Sequence, residues 1–374
     1  MKYYIIAGEA SGDLHGSNLI KELKKLDNSS HFRCWGGDLM SQECNDLVKH
    51  YKDYSHMGFF EVFINLKKIL NNLSFCKKDI KKYNPDVIIY VDFPGFNLRI
   101  AKWAKKNKFK NHFYISPQIW AWKQNRIKTI RKVIDRMYVI LPFEKKFYSS
   151  INFNVHYVGH PLLDVIKTNK NAALNRGQEK IIALLPGSRD QEIKKILPEM
   201  INIIKNFKNY SFYICAAPSQ KRSTYLKYIK DKNIEKVKIV ENQTYEILSK
   251  SSAALVTSGT ATLETALFKI PQVVCYKSSW ISIIIGRFLL RNLKFISLVN
   301  LILDKEVVKE LIQENLNEKN LTSELNSILE GDHRINMLKS YNELINKLGN
   351  KGASEKTALK IFNYLEPNSY SKES

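Results

Sequence analysis

Short runs of β-branched and aromatic residues alternate with segments of helical spacing along most of this chain, and that alternation restricts it to a parallel α/β fold. Strands are expected near 2–7, 32–35, 86–91, 111–115, 136–141 and 154–158, then near 180–185, 210–215, 236–240, 253–257 and 271–276. Between the first two, Leu19, Ile20, Leu23 and Leu26 repeat at helical spacing and end in Asp27-Asn28-Ser29-Ser30. Helices are expected at 190–206, 243–250 and 261–268, and beyond Asp304 the pattern reads as helical to about Leu365. With 374 residues the chain can hold two domains, each with its own core. The polar, weakly periodic segment 166–178 is the expected linker between a first α/β domain over 1–165 and a second over 179–340; residues 341–374 are expected to form a helix packing back on the first domain, with a polar tail. Ligands of open parallel sheets lie at the carboxyl ends of strands, so loops 8–16, 92–97, 116–122 and 142–144 should meet at one crevice.

Charge narrows the partners. Lys and Arg number 59 against 36 Asp and Glu, a net +23, which favours phospholipid surfaces, nucleotides or nucleic acid. The basic residues are spread, 48 of them are lysines, and no recognition helix, zinc knuckle or aromatic ribonucleoprotein motif accompanies them. Cys34, Cys44, Cys76, Cys215 and Cys275 form no CxxC pair and read as reduced cytosolic thiols. The first strand is interrupted by Gly8-Glu9 too soon for a signal peptide. The apolar stretch 280–290 is broken by Gly286 and Arg287 and falls short of the ~20 residues of a spanning helix, so membrane contact is expected to be peripheral.

Leu185-Pro186-Gly187-Ser188-Arg189 follows the apolar run 180–184 and reads as a strand entering a phosphate-binding turn. Amides around Gly187 and Ser188, the serine hydroxyl and the Arg189 guanidinium offer donors to a diphosphate, and the next helix adds its positive end. Ser258-Gly259-Thr260-Ala261-Thr262-Leu263-Glu264 repeats the arrangement after the strand 253–257, with Glu264 one turn into the helix, where a carboxylate accepts ribose hydroxyls. Neither turn has the GxGxxG spacing of a dinucleotide fold, so a nucleotide held by diphosphate and ribose fits both together. Taken singly, each is equally an ordinary capped helix start.

In the first half, Gly8, Gly12 and Gly16 lie between a strand and a helix and leave room for a ligand, with Ser11, Gly12 and Asp13 the candidates for a sugar or acceptor group. A helix cap is the competing account of Asp13. Asp92, heading Asp92-Phe93-Pro94-Gly95-Phe96-Asn97 after a buried strand, is placed like a general base whose basicity partial burial would raise; a turn-forming Asp is the alternative. Asn97 joins the acceptor-side candidates. In Ser116-Pro117-Gln118-Ile119-Trp120-Ala121-Trp122, Trp120 and Trp122, with Arg126 beyond, wall a sugar or acyl-chain site or else pack in the core. Leu141-Pro142-Phe143-Glu144 and Val158-Gly159-His160-Pro161-Leu162 complete the crevice, and His160 reads more as a structural histidine than as a base. Phe59, Val62, Phe63, Leu66, Ile69, Leu70 and Leu73 fall at helical spacing beside Lys67, Lys68, Lys77 and Lys78, an amphipathic, basic-edged helix facing lipid or the core; 281–291 is a second such stretch.

In order and spacing, Gly8-Glu9-Ala10-Ser11-Gly12-Asp13, Met57-Gly58 with Glu61-Val62, the 92–97 and 117–122 segments, Val158-Gly159-His160-Pro161 and the two turns at 185–189 and 258–264 resemble the lipid-A-disaccharide synthase family, bacterial glycosyltransferases of lipopolysaccharide synthesis. The resemblance runs from residue 3 to about residue 315. It implies the GT-B fold, two Rossmann-like domains whose parallel sheets face an interdomain cleft, with a helical C-terminal segment. It further implies UDP-2,3-diacylglucosamine as donor, 2,3-diacylglucosamine 1-phosphate as acceptor, an inverted β-1,6 linkage, release of UDP, and neither metal nor cofactor. Carried over, Asp92 is similar to the base for the acceptor 6-hydroxyl; Arg189 and the backbone around Gly187 and Ser188 to the diphosphate site; Glu264 to the ribose ligand; and Ser258, Gly259, Thr260, Asn300, Glu310 and Gln313 to nucleotide-site positions. The family usually has proline where Val299 and Lys309 stand, so that loop is expected to be less rigid. The implied partners are the two lipids, an anionic membrane surface and a second copy of the chain, with no nucleic acid, in the cytoplasm on the inner face of the inner membrane.

Charge alone makes the reaction sensible. Negative charge building on a departing diphosphate is met by Arg189 and helix-end amides, while Asp92 takes the acceptor proton from the far face, so the two domains must close. Competing readings are a UDP-sugar 2-epimerase or a peptidoglycan N-acetylglucosaminyl transferase on the same fold, a basic nucleic-acid-binding protein, and a non-enzymatic membrane adaptor.

Overall fold

The computed structural model describes residues 1–54, 66–121, 125–166, 180–229, 237–278 and 294–366. The chain divides into two compact units, Met1–Val165 with Asn350–Ser374, and Ile166–Gly349. The expected linker lies, apart from Ile166, outside the described residues, as does the stretch 281–291.

The first unit carries β1 (Lys2–Ala7), β2 (His31–Gly36), β3 (Asp46–His50), β4 (Val87–Val91), β5 (Asn111–Tyr114), β6 (Arg136–Val139) and β7 (His156–Tyr157) in one sheet of order β3-β2-β1-β4-β5-β6-β7. Every pairing is parallel. Alternate residues enter different cores: Tyr4, Ile6, Ile88 and Tyr90 join one cluster, Tyr3, Ile5, Val87 and Ile89 another. Burial on both faces is why these strands read as unbroken apolar runs. The helix Ala10–Leu26 adds Leu19, Ile20 and Leu23 to the second cluster, and the C-terminal helix Ala353–Leu365 adds Ala358 and Ile361. Asp164 fixes the start of that last helix, accepting from the Gly352 amide at 2.6 Å and the Ser354 amide at 3.1 Å. The helix Gly331–Leu348 stays in the second unit, so the chain returns at 349–352 and not at 341.

The second unit holds β8 (Ile181–Leu185), β9 (Ser211–Ala216), β10 (Val237–Glu241), β11 (Ser251–Thr257), β12 (Gln272–Tyr276) and β13 (Glu310–Ile312), all parallel, in the order β10-β9-β8-β11-β12-β13. β13 and the 3-10 turn Gln313–Asn315 correct the expectation of an all-helical stretch beyond Asp304; helices resume at Glu318–Leu329. β3 was not expected either. Both are edge strands, one only three residues long and the other half-exposed, and neither is long or apolar enough to register as a periodic run. Among the described residues, no helix is long and apolar enough to cross a membrane.

Candidate active site

In each sheet the strand order reverses at one point, between β1 and β4 in the first and between β8 and β11 in the second. Ligands of such sheets bind outside the carboxyl ends of the strands flanking that reversal. Gly8-Glu9 and Asp92 leave the first pair of ends, and the turns 186–189 and 258–259 leave the second. The segments the sequence singles out are therefore brought together two by two.

Asp92 ends β4 in a left-handed conformation, φ 46°, and Phe93 follows at φ 50°. Two such residues in succession are strained and need support. Asn97 supplies it, its Nδ2 donating to the Asp92 carbonyl at 2.7 Å and its backbone amide to the Phe93 carbonyl at 3.1 Å. The Asp92 amide donates to the Tyr114 carbonyl at 3.0 Å, which ties it to β5. The Phe93 ring lies over Gly8, where a Cβ would meet its Cγ at 2.2 Å, and a Cβ on Gly16 would meet the Met40 sulfur at 2.6 Å. These glycines admit protein side chains, which corrects the expectation that they leave room for a ligand; from Ala10 onward the expected loop is already helix. Asp92 itself is half-buried, and its carboxyl is pushed up to about 7, first by burial, then by the Glu9 carboxylate, with Glu144 adding to both. A carboxyl poised near neutrality at a strand end suits proton abstraction.

Of the acceptor-side candidates, Ser11 is exposed on the first turn of the helix 10–26, and Gly12 is buried, where an added Cβ would meet the Ala7 Cβ at 3.2 Å. Asp13 has a different task from the one expected. Its carboxylate accepts from the amides of Gly37 at 2.7 Å, Leu39 at 3.0 Å and Met40 at 3.0 Å, capping the neighbouring helix Asp38–Glu43. Asn97 is wholly buried and holds the Asp92 turn, a supporting position behind the site. Trp120 is half-buried, edge-on to Phe143 with ring centroids 4.9 Å apart, while Trp122 lies outside the described residues. Arg126 opens the helix Arg126–Val133, where burial and then Arg99 lower its pKa. His160 accepts from the Leu162 amide at 3.2 Å, and burial lowers it to about 3, a neutral structural imidazole.

Of the residues expected to face lipid, Phe59, Val62 and Phe63 lie outside the described residues and Leu66 opens the helix Leu66–Tyr83. Ile69 and Leu73 belong to the core, which corrects that expectation; Leu70 is 55% exposed, and Phe75, unforeseen, is 48% exposed.

In the second unit Gly187 adopts φ 117° and Gly259 φ 149°, conformations that demand glycine at both turns. The amides of Ser188 and Arg189 are held by the Glu192 carboxylate at 3.1 and 3.4 Å, and Arg189, its side chain 75% exposed, meets the same carboxylate at 3.5 Å. A diphosphate that takes these amides therefore displaces Glu192. The Ser188 carbonyl accepts from Ser219 Oγ at 3.2 Å and Gln220 Nε2 at 3.0 Å, so the loop after β9 braces the turn. Ser258 Oγ donates to the Ile296 carbonyl at 2.9 Å, and Thr260 opens the helix Thr260–Leu267. Glu264 on that helix is half-buried; burial raises its pKa, and Tyr245 OH donates to it at 3.3 Å.

Asn300 and Glu310 hold each other. Asn300 Oδ1 accepts from the amides of Val307 and Val308 at 2.8 and 3.0 Å, and its Nδ2 donates to the Val308 carbonyl and to Glu310 at 2.8 and 2.9 Å. Glu310 also accepts from the amides of Ile296 and Ser297 at 2.9 Å each. With its hydrogen-bonding atoms so engaged, Asn300 supports the loop that carries Glu310. The same network secures the loop despite Val299 and Lys309. Gln313, at φ 57°, accepts from the Ser278 amide at 3.3 Å. Glu192 was findable, since a Glu three residues after Arg189 has capping-box spacing; Tyr245 and Gln220 reach the site only through the tertiary fold. Among the described residues, no three His, Cys, Asp or Glu side chains are grouped to hold a metal ion.

The sequence profile of the family described as lipid-A-disaccharide synthetase matches residues 3–362. A lipid-A-disaccharide synthase of Syntrophus aciditrophicus is 37% identical over 366 residues, 95% of each chain, and one of Myxococcus xanthus is 34% identical, covering 97% of each. Among solved structures, a UDP-GlcNAc 2-epimerase from Neisseria meningitidis superposes with a TM-score of 0.68 at 15% identity, over 97% of this chain and all of that one. A UDP-glucosyltransferase from Polygonum tinctorium gives 0.61 at 10% identity, over 98% of both. These two share the fold, GT-B, two Rossmann-like domains.

Proposed function

The chain belongs to the lipid-A-disaccharide synthase family and is a glycosyltransferase of lipid A biosynthesis, and on that premise we propose how its residues divide the reaction. UDP-2,3-diacylglucosamine is the donor and 2,3-diacylglucosamine 1-phosphate the acceptor. Asp92 removes the proton from the acceptor 6-hydroxyl as that oxygen attacks the anomeric carbon, so the configuration inverts and a β-1,6 linkage forms. Arg189 and the turn 187–189 meet the charge growing on the UDP diphosphate, joined by the turn 258–260, while Glu264, held by Tyr245, takes the ribose. Gln313 lies toward the nucleotide, in the stretch that Asn300 and Glu310 support. The observation that carries this reading is Asp92 at the switch point of its sheet, its carboxyl raised to about 7 by burial and Glu9.

With a fixed guanidinium for the leaving group, the transfer needs no divalent ion and no cofactor. The purified chain is expected to release UDP only when donor and acceptor are both present, and to do so in a chelator. Release from donor alone, or arrest by chelator, would defeat this assignment.

Membrane docking belongs to the same reading. Leu70 and Phe75 are exposed on the helix 66–83 among Lys67, Lys68 and Lys78, also exposed, as a helix lying on the anionic inner face of the inner membrane requires. Leu70→Glu with Phe75→Glu is expected to cut sedimentation with phosphatidylglycerol vesicles by about ten-fold. Unchanged sedimentation would move the docking surface elsewhere. Self-association into a homodimer is the remaining partner, and a sedimenting mass of one chain would rule it out.

A further inference from the structure

We propose that Glu144 is a positioning residue of the acceptor side, clamping the loop that bears Trp120 to the strand ends beside Asp92. The proposal rests on the assignment of that loop to the acceptor. Glu144 is 1% exposed, on the first turn of the helix Pro142–Ser150. Its Oε1 accepts from Ser116 Oγ, and its Oε2 accepts from the amides of Ile140 at 3.1 Å and Leu141 at 2.8 Å. Ser116 belongs to the segment after β5, whereas the two amides follow β6, so one side chain joins two adjacent strand ends.

Two other residues of the same helix reach the same loop. Tyr148 OH donates to the Pro117 carbonyl at 3.4 Å, and the Phe143 ring meets Trp120 edge-on at an interplanar angle of 84°. The β5 end so joined is bonded to the base, Asp92 N donating to the Tyr114 carbonyl at 3.0 Å, and is itself tied to β6 by Ile115 N donating to the Tyr138 carbonyl at 3.0 Å. Burying a carboxylate here is unfavourable for folding unless every lone pair is used, and an apolar side chain would fill the space without that penalty. What the carboxylate provides and an apolar residue cannot is a fixed bridge between two loops.

The test is steady-state kinetics on the full chain with donor and acceptor varied separately. Glu144→Ala is expected to raise acceptor KM about ten-fold and leave donor KM within about two-fold. Glu144→Gln, which keeps an oxygen for the two amides and an amide for Ser116, is expected to restore acceptor KM to within about three-fold of the parent. Ser116→Ala, which removes one strut, should raise it about three-fold, and carries the test alone if Glu144→Ala does not fold. Unchanged acceptor KM in the alanine variants, or an equal rise for the donor, overturns the proposal. Trp120→Ala separates the two layers: if it raises acceptor KM while Glu144→Ala does not, the loop assignment stands and the clamp falls. If neither raises it, both fall.

Discussion

Asp92→Asn is expected to lower turnover about 10²- to 10⁴-fold while the affinity for UDP stays within about two-fold. The substitution keeps the size and polarity of the side chain but replaces the basic carboxylate with an amide that cannot take the proton. It leaves intact the backbone bonds to Tyr114 and Asn97 that fix the turn. The pH dependence follows from the same carboxyl. A base works deprotonated, so with its pKa near 7 the parent enzyme's kcat/KM should fall about ten-fold per pH unit below that value and level off above it. Stability has the opposite sign. A carboxyl raised from 3.8 to about 7 by folding favours the folded state at low pH, and this contribution is lost as pH rises through about 7. Asp92→Asn should therefore melt no lower than the parent at pH 8, the mark of a side chain kept for chemistry and not for the fold. A lower melting temperature together with lost activity would count against the assignment.

Arg189→Ala is expected to cost about 10²- to 10³-fold in kcat/KM, with weaker UDP binding, because the guanidinium meets charge that is largest in the transition state. Arg189→Lys should recover only part of this, since a point charge does not reproduce the two-pronged contact to phosphate oxygens. Little effect on the fold is expected: the side chain is 75% exposed, and its contact with Glu192 at 3.5 Å is a surface pair of small value. UDP-release kinetics with thermal melting reads both outcomes. Parent-like kinetics in Arg189→Ala would transfer the leaving-group role to the amides of the turn.

Most strands and the turns of both units are legible in the sequence, and what is not legible depends on contacts between distant segments. β1, β4, β8 and β11 are strong local signals because burial on both faces makes each an apolar run, and the turns that follow β8 and β11 have their own chemistry. The reversal between β1 and β4 is a property of strand order and not of any one segment, so the sequence could offer a crevice but not the pairing of Asp92 with Glu9. Asp13 looked like a ligand-facing acid because its partners, the amides of Gly37, Leu39 and Met40, lie more than twenty residues away and carry no local mark. The bracing role of Asn300 is likewise unmarked locally, its partners being the backbone of Val307 and Val308 and the Glu310 carboxylate. The apolar helix was separable in principle. Ile69, Leu73, Cys76 and Ile80 are all buried at three- and four-residue spacing, and Leu70 falls outside that row.

Proton removal and leaving-group stabilisation are assigned to different switch points, and calorimetric titration of UDP into Asp92→Asn and Arg189→Ala separates them. Parent-like affinity is expected in the first and at least about ten-fold weaker binding in the second. Equal loss of UDP affinity in both variants, or none in Arg189→Ala, would contradict that assignment.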